Sequence, residues 1–115
     1  LLLLRTYRTF QMKKIMLVCS AGMSTSLLVT KMEQAAEKVG DEVEIFALPM
    51  SDGINRLSTV DCVLLGPQVR FNLGKIKEEA AKVNPGLPVD VIDMKDYGMM
   101  NGEAVYKKAK AMMGE

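Results

Sequence analysis

The sequence predicts an α/β fold, an open four-stranded parallel sheet in the order 2-1-3-4 with helices on both faces. Three observations predict it. Short apolar runs alternate four times with stretches of helical periodicity, a pattern that builds parallel sheets from crossover units. The first and third runs, residues 15–19 and 62–65, are almost wholly apolar, as strands covered on both faces must be. Glycine and proline breakers fall between the units, at Gly40, at Gly66-Pro67 and at Asn84-Pro85-Gly86. Right-handed crossovers then fix the winding. In this order, shared by flavodoxin-like and low-molecular-weight-phosphatase-like folds, the winding reverses between the first and third strands. Ligands bind beyond the carboxyl ends of the strands at such a reversal.

Residues 1–11 stand apart from this pattern. Leu1-Leu2-Leu3-Leu4 is far shorter than the about 20 apolar residues that span a bilayer. No basic segment precedes it and no small-residue cleavage site follows, which argues against a signal peptide. Met12-Lys13-Lys14-Ile15 reads like a natural start, so 1–11 is taken as a disordered, non-native or upstream-translated leader. A weak membrane or partner contact through residues 1–4 is the alternative. Residues 12–115 are expected to form one domain.

Residues 13–19 are the first strand. The helix after it sets Met23, Leu27, Leu28, Met32, Ala35, Ala36 and Val39 at three- and four-residue spacing, and Gly40 ends it. Residues 43–47 form a second, less apolar strand, which suits a sheet edge. Pro49 and Ser51-Asp52-Gly53 make a turn in which Ser51 is placed to cap a short helix carrying Ile54 and Leu57. Residues 61–66 are the third strand, followed by a helix with Val69, Leu73, Ile76, Ala80 and Val83 in register. Residues 88–92 are the fourth strand, and 93–102 read as a loop or frayed turn. Asn101 then caps a last helix with Val105, Ala109 and Met112 inward and Lys107, Lys108 and Lys110 toward water.

The totals exclude much. At 115 residues, 49% hydrophobic and 25% charged, the chain suits one soluble globular domain. Its net charge of +1 carries no nucleic-acid signal, and without Arg5 and Arg8 no basic stripe remains. Aromatic content is 5% with no Trp, so no stacking platform for bases or sugars is indicated. There is no histidine, which excludes Ser-His-Asp and Cys-His catalysis within the chain and argues against a zinc site. Two cysteines make no disulfide framework and fit a reducing cytosol.

The chemistry concentrates where the first strand ends. Cys19 is followed by Ser20, Ala21, Gly22, Met23, Ser24, Thr25 and Ser26, a small and hydroxyl-rich loop that opens a helix. Backbone N–H groups in such a loop converge, and the helix dipole adds positive potential, so a phosphate-sized anion fits. A thiol at the rim is pushed toward thiolate, its reactive form. A plain buried cysteine is the competing reading, and the loop composition tips the balance to a nucleophile. Cys62, near the start of the third strand and about three residues, or roughly 10 Å, from Cys19 along the sheet, reads as core. Met16, Met32 and Met112 fall on core faces. Met23, Met50, Met99 and Met100 share the Cys19 end, either as filler or as an adaptable docking surface.

Elimination narrows the reaction. The loop lacks the Gly-Lys-Ser/Thr of a nucleotide-binding loop and the three spaced glycines of a dinucleotide fingerprint. A cysteine phosphatase places Arg where this chain has Thr25, and no Asp-Pro loop offers a general acid. Such a site holds a phosphoryl group on sulfur but is poor at hydrolysing it. The alternatives weighed are a low-molecular-weight cysteine phosphatase or arsenate-reductase-like enzyme, and a loop that merely holds an anion.

Cys19-Ser20-Ala21-Gly22-Met23-Ser24-Thr25-Ser26 after Lys13-Lys14-Ile15-Met16-Leu17-Val18 resembles the enzyme IIB component of the bacterial phosphotransferase system, lactose/cellobiose (chitobiose) type. The likeness extends through Leu65-Gly66-Pro67-Gln68 and Asp96-Tyr97-Gly98, covering nearly all of residues 12–115. The resemblance implies a cytoplasmic phosphocarrier with no cofactor. Its cysteine takes phosphate from a phosphohistidine of the IIA protein and passes it to a sugar held by the membrane IIC transporter. That sugar is expected to be a β-linked disaccharide such as cellobiose, chitobiose or lactose. Cys19 is then the phosphoryl acceptor, the backbone N–H groups of residues 20–26 form the cradle with the Ser24, Thr25 and Ser26 hydroxyls assisting, and Gln68 and Tyr97 line its rim.

Overall fold

Four parallel strands form a sheet in the order β2-β1-β3-β4, the order expected. The computed structural model describes residues 12–20 and 23–115, with the side chains of 23 and 24 outside that description. The expectation for the leader 1–11, and that for loop positions Ala21 and Gly22, lie outside the described residues. The strands are β1 (Lys13–Cys19), β2 (Val43–Pro49), β3 (Cys62–Leu65) and β4 (Val89–Val91). Helix α1 (Met23–Lys38) follows β1, α2 (Met50–Gly53) with the 3₁₀ helix Ile54–Thr59 follows β2, and the 3₁₀ helix Pro67–Asn72 with α3 (Leu73–Val83) follows β3. Helices α4 (Met94–Gly98) and α5 (Gly102–Met112) complete the chain.

The two-residue alternation of a strand explains why β1 and β3 are continuously apolar. Ile15 and Leu17 enter one core cluster with Cys62 and Leu64 of β3, against Leu28, Met32 and Ala36 of α1 and Val105 and Ala109 of α5. Met16 and Val18 enter the other, with Val63 and Leu65, against Leu57, Val69, Ile76 and Ala80. Each Val, Leu, Ile or Met side chain so withdrawn from water contributes roughly 1.5–3 kcal/mol. Among the described residues β2 pairs with β1 alone, and it is only half-buried, as its mixed composition foretold.

Helix α1 ends in a Schellman motif. Gly40, at φ 78°, donates from its N–H to Glu37 O, and Asp41 N–H donates to Ala36 O. Its buried stripe, Thr25, Leu28, Met32 and Ala36, is narrower than expected: Leu27 and Val39 are exposed, on the flank and past the last turn. Val83, at the end of α3, is exposed for the same reason. Ser51 does not cap. The helix starts one residue earlier, so Ser51 lies within α2 behind Pro49, which has no side chain able to cap.

Residues 93–102 are more ordered than a loop. The Asp93 carboxylate accepts from Lys95 N–H and Asp96 N–H and starts α4. Asn101 caps α5 as expected, accepting from Ala104 N–H. Of the three lysines, Lys107 is the exposed one, its ammonium 3.8 Å from the Glu103 carboxylate at the surface. Lys108 donates to Val91 O at 2.7 Å, and Lys110 pairs with Asp41 at 2.6 Å, where the Tyr106 hydroxyl also donates. Those two donors, Lys110 first, hold the Asp41 carboxyl below its ordinary range against a smaller opposing effect of burial. The trio ties α5 to the turn that begins β2. Among the described residues, no helix is long and apolar enough to cross a membrane.

Gly102 lets α5 cross α1 in backbone contact. A Cβ there would overlap the Lys31 carbonyl carbon and Cβ and lie 2.6 Å from Met32 N. Ala gains at most about 1 kcal/mol in helix propensity, whereas overpacking costs about 1–3 kcal/mol; here the obstacle is rigid backbone. Gly102→Ala should therefore lower the urea midpoint of unfolding. An unchanged or raised midpoint contradicts the close crossing.

Cys62 is fully buried, and burial first, with the Asp61 and Asp90 charges adding and Lys108 opposing, pushes its thiol from 9.0 up to about 12. The raised value means its contribution to stability is complete below pH 9 and is lost as pH climbs through about 12. In a Cys19→Ser protein, where Cys62 is the one thiol, iodoacetamide at pH 8 should react only as fast as the domain unfolds, and urea should release it. Rapid modification without unfolding contradicts this burial.

Candidate functional site

Cys19 is the last residue of β1. It pairs with Pro49 of β2 on one side, while β3 stops one position short, with Leu65 opposite Val18. The strand therefore ends in the crevice where the winding reverses. Past Leu65, Gly66 N–H donates to Val18 O at 2.8 Å and holds the β3 exit against the β1 end.

The sulfur is enclosed; Cys19 keeps only 4% of its surface. Thr25, fully buried in the first turn of α1, donates its hydroxyl to Cys19 Sγ at 3.1 Å. On another side the Leu48 carbonyl lies 3.8 Å from the sulfur, placed to accept from the thiol. The strand end, the first turn of the helix and the end of β2 thus converge on one atom. A donor aimed at sulfur stabilises negative charge there, which suits a group that attacks or leaves as thiolate.

Gln68 and Tyr97 also meet at this end of the sheet. A Cβ on Gly66 would stand 2.9 Å from Gln68 Oε1, 3.5 Å from Val18 O and 3.8 Å from the Tyr97 ring, so all three groups gather around this glycine and a larger residue would displace the Gln68 side chain. Gln68 is exposed and Tyr97 is buried, giving one polar reaching group and one apolar wall beside the β1 end. Tyr97 owes its place to α4, the helix that Asp93 initiates. Ser20 and Ser26 are exposed. Of the remaining loop positions, Ala21 and Gly22 and the side chains of Met23 and Ser24 lie outside the described residues.

Cys62 sits farther away than the sequence suggested. It pairs with Ile15, four residues before Cys19, or about 13 Å at a strand's rise. The site-end methionines divide: Met99 is exposed, while Met50 and Met100 pack against the cores. The sequence reading missed the Leu48 carbonyl, which no residue type announces, and gave the Thr25 hydroxyl to the anion rather than to the sulfur. Among the described residues, no group of three or more His, Cys, Asp or Glu side chains is arranged to hold a metal ion.

Comparison with known proteins places the chain in a family. The family described as the phosphotransferase system lactose/cellobiose-specific IIB subunit matches residues 14–108. The chain is 45% identical over 102 residues to the oligo-beta-mannoside-specific EIIB component of Bacillus subtilis, covering 89% of this chain and 97% of the relative. It is 47% identical over 106 residues to the galactose-specific EIIB component of Lactococcus lactis, covering 88% and 96%. Among solved structures, the cellobiose-specific IIB component of Borrelia burgdorferi superposes with a TM-score of 0.75 at 36% identity, covering 91% of this chain and 94% of that one. The lactose-specific IIB domain of Streptococcus pneumoniae shares the fold, with a TM-score of 0.79 at 14% identity and coverage of 89% and 98%. The chain belongs to the lactose/cellobiose-type IIB family of the sugar phosphotransferase system, and it is a phosphotransferase component of that system.

Proposed function

We propose that Cys19 is the residue that carries the phosphoryl group, received from a phosphohistidine of the IIA protein and delivered to a sugar bound by the membrane IIC transporter. The observation that carries this reading is the placement of Sγ at the winding reversal, with the Thr25 hydroxyl 3.1 Å away. The backbone N–H groups of residues 20–26 form the cradle, with the Ser24 and Ser26 hydroxyls as further donors. Gln68 and Tyr97 form the rim. The carrier is one domain over residues 12–115 and works in the cytoplasm, meeting the membrane only through IIC.

The chain has no histidine, so the basic and leaving nitrogen must come from the donor. With Thr25 in place of arginine, that loop position supplies no guanidinium to gather the equatorial oxygens of a hydrolytic transition state. Transfer between partners is therefore favoured over attack by water. The cargo is a β-linked disaccharide such as cellobiose, chitobiose or lactose. The relatives at 45% and 47% identity carry different sugar names, in keeping with specificity that resides in the transporter.

The test is to load the protein with phosphoenolpyruvate, the general phosphotransferase proteins and a lactose/cellobiose-type IIA, then locate the modification by mass spectrometry under non-acidic conditions. The phosphate should be found on Cys19, and Cys19→Ser should abolish labelling. A label on Cys62, or undiminished labelling of the variant, overturns the assignment.

A further inference from the structure

We propose that Thr25 is a catalytic residue whose hydroxyl acts on the Cys19 sulfur itself, stabilising the thiolate released whenever the carrier discharges. This rests on Cys19 as the acceptor and departs from the sequence reading, in which the hydroxyl served the bound anion. Thr25 is fully buried, and its Oγ1 lies 3.1 Å from Sγ. A hydroxyl has a single proton to donate, so while it points at sulfur it does not serve a phosphoryl oxygen. The branched side chain has a restricted χ1 in a helix, and α1 fixes its backbone. The donor is therefore held in place before any partner arrives.

The bond matters because its strength changes along the reaction. In the loaded state the sulfur is bonded to phosphorus and is a weak acceptor. In discharge to the sugar the S–P bond breaks and its electron pair stays on sulfur. The sugar hydroxyl oxygen forms the new O–P bond and its proton passes to solvent. In return of the group to IIA, the imidazole nitrogen supplies the electron pair for the N–P bond, and sulfur again leaves as thiolate. In both directions charge grows on sulfur, and a hydrogen bond to a charged acceptor is much stronger than to a neutral one. Thr25 thus stabilises the transition state more than the loaded ground state, which is the condition for accelerating the step. A phosphate-holding hydroxyl has the opposite signature, because it stabilises the loaded state.

The experiment compares wild type, Thr25→Val and Thr25→Ser. Each is loaded as above, freed of phosphoenolpyruvate and mixed with unphosphorylated IIA, and loss of label from Cys19 is followed. Thr25→Val should load at least as fully as wild type and discharge about ten- to a hundred-fold more slowly, while Thr25→Ser restores the rate. Without phosphate, iodoacetamide should alkylate Cys19 more slowly in Thr25→Val at fixed pH, with Ser again restoring it. Discharge of Thr25→Val at the wild-type rate, or lower loading with faster loss to water, overturns the proposal. Should Thr25→Val not fold, Thr25→Ala is read in the same way. If wild type carries no label on Cys19, the acceptor assignment fails instead, and the alkylation series still decides whether Thr25 acts on the sulfur.

Discussion

The structure depends on β1 being enclosed on all four sides. Its neighbours β2 and β3 take both edges, and the two core clusters take both faces, leaving residues 15–18 without accessible surface. A strand so enclosed can leave the sheet only at its end. Helix α1 covers one face and α2 with the 3₁₀ helix beyond it packs on the other, so the chain past Cys19 must turn at the point where the winding diverges. The position of the Cys19 sulfur follows from this constraint. Shifting the strand by one residue would exchange its two faces and carry Cys19 from the crevice into the core or beyond it.

Around that fixed strand the rest of the fold sets distances. Gly66 brings the β3 exit within a hydrogen bond of Val18, and with it Gln68. Asp93 starts α4, which places Tyr97 on the same spot. At the opposite end of the sheet, Asp41, Tyr106 and Lys110 anchor α5, and Gly102 lets that helix close on α1. Among the described residues, the Cys19 sulfur meets the Thr25 hydroxyl and the Leu48 carbonyl.

Much of this was legible in the residues. The continuous apolar runs of β1 and β3 reveal strands covered on both faces, and the end of the first run marks where Cys19 meets the winding reversal. Together they give the winding and the candidate nucleophile. What the sequence hid depends on the third dimension. Leu27, Val39 and Val83 obey helical spacing, yet the stripe their helices bury is narrower than the spacing allows. Asp93 was a cap in plain sight, but α4 is only five residues long and its periodicity is too short to read. Lys108 and Lys110 look solvated until β4 and Asp41 are brought beside them. Whether the Thr25 hydroxyl points at sulfur or at phosphate is decided by a rotamer, and composition does not specify rotamers.

The central claim is that this site holds a phosphoryl group on Cys19 against water and gives it up to a partner. Phosphorus NMR of the isolated, loaded protein tests it most directly. At neutral pH a single phosphorothioate resonance should persist for many minutes. It should convert to sugar phosphate when IIC-containing membranes and the matching β-disaccharide are added. Steady conversion to inorganic phosphate in the isolated protein, as fast as transfer to the sugar, would contradict the account.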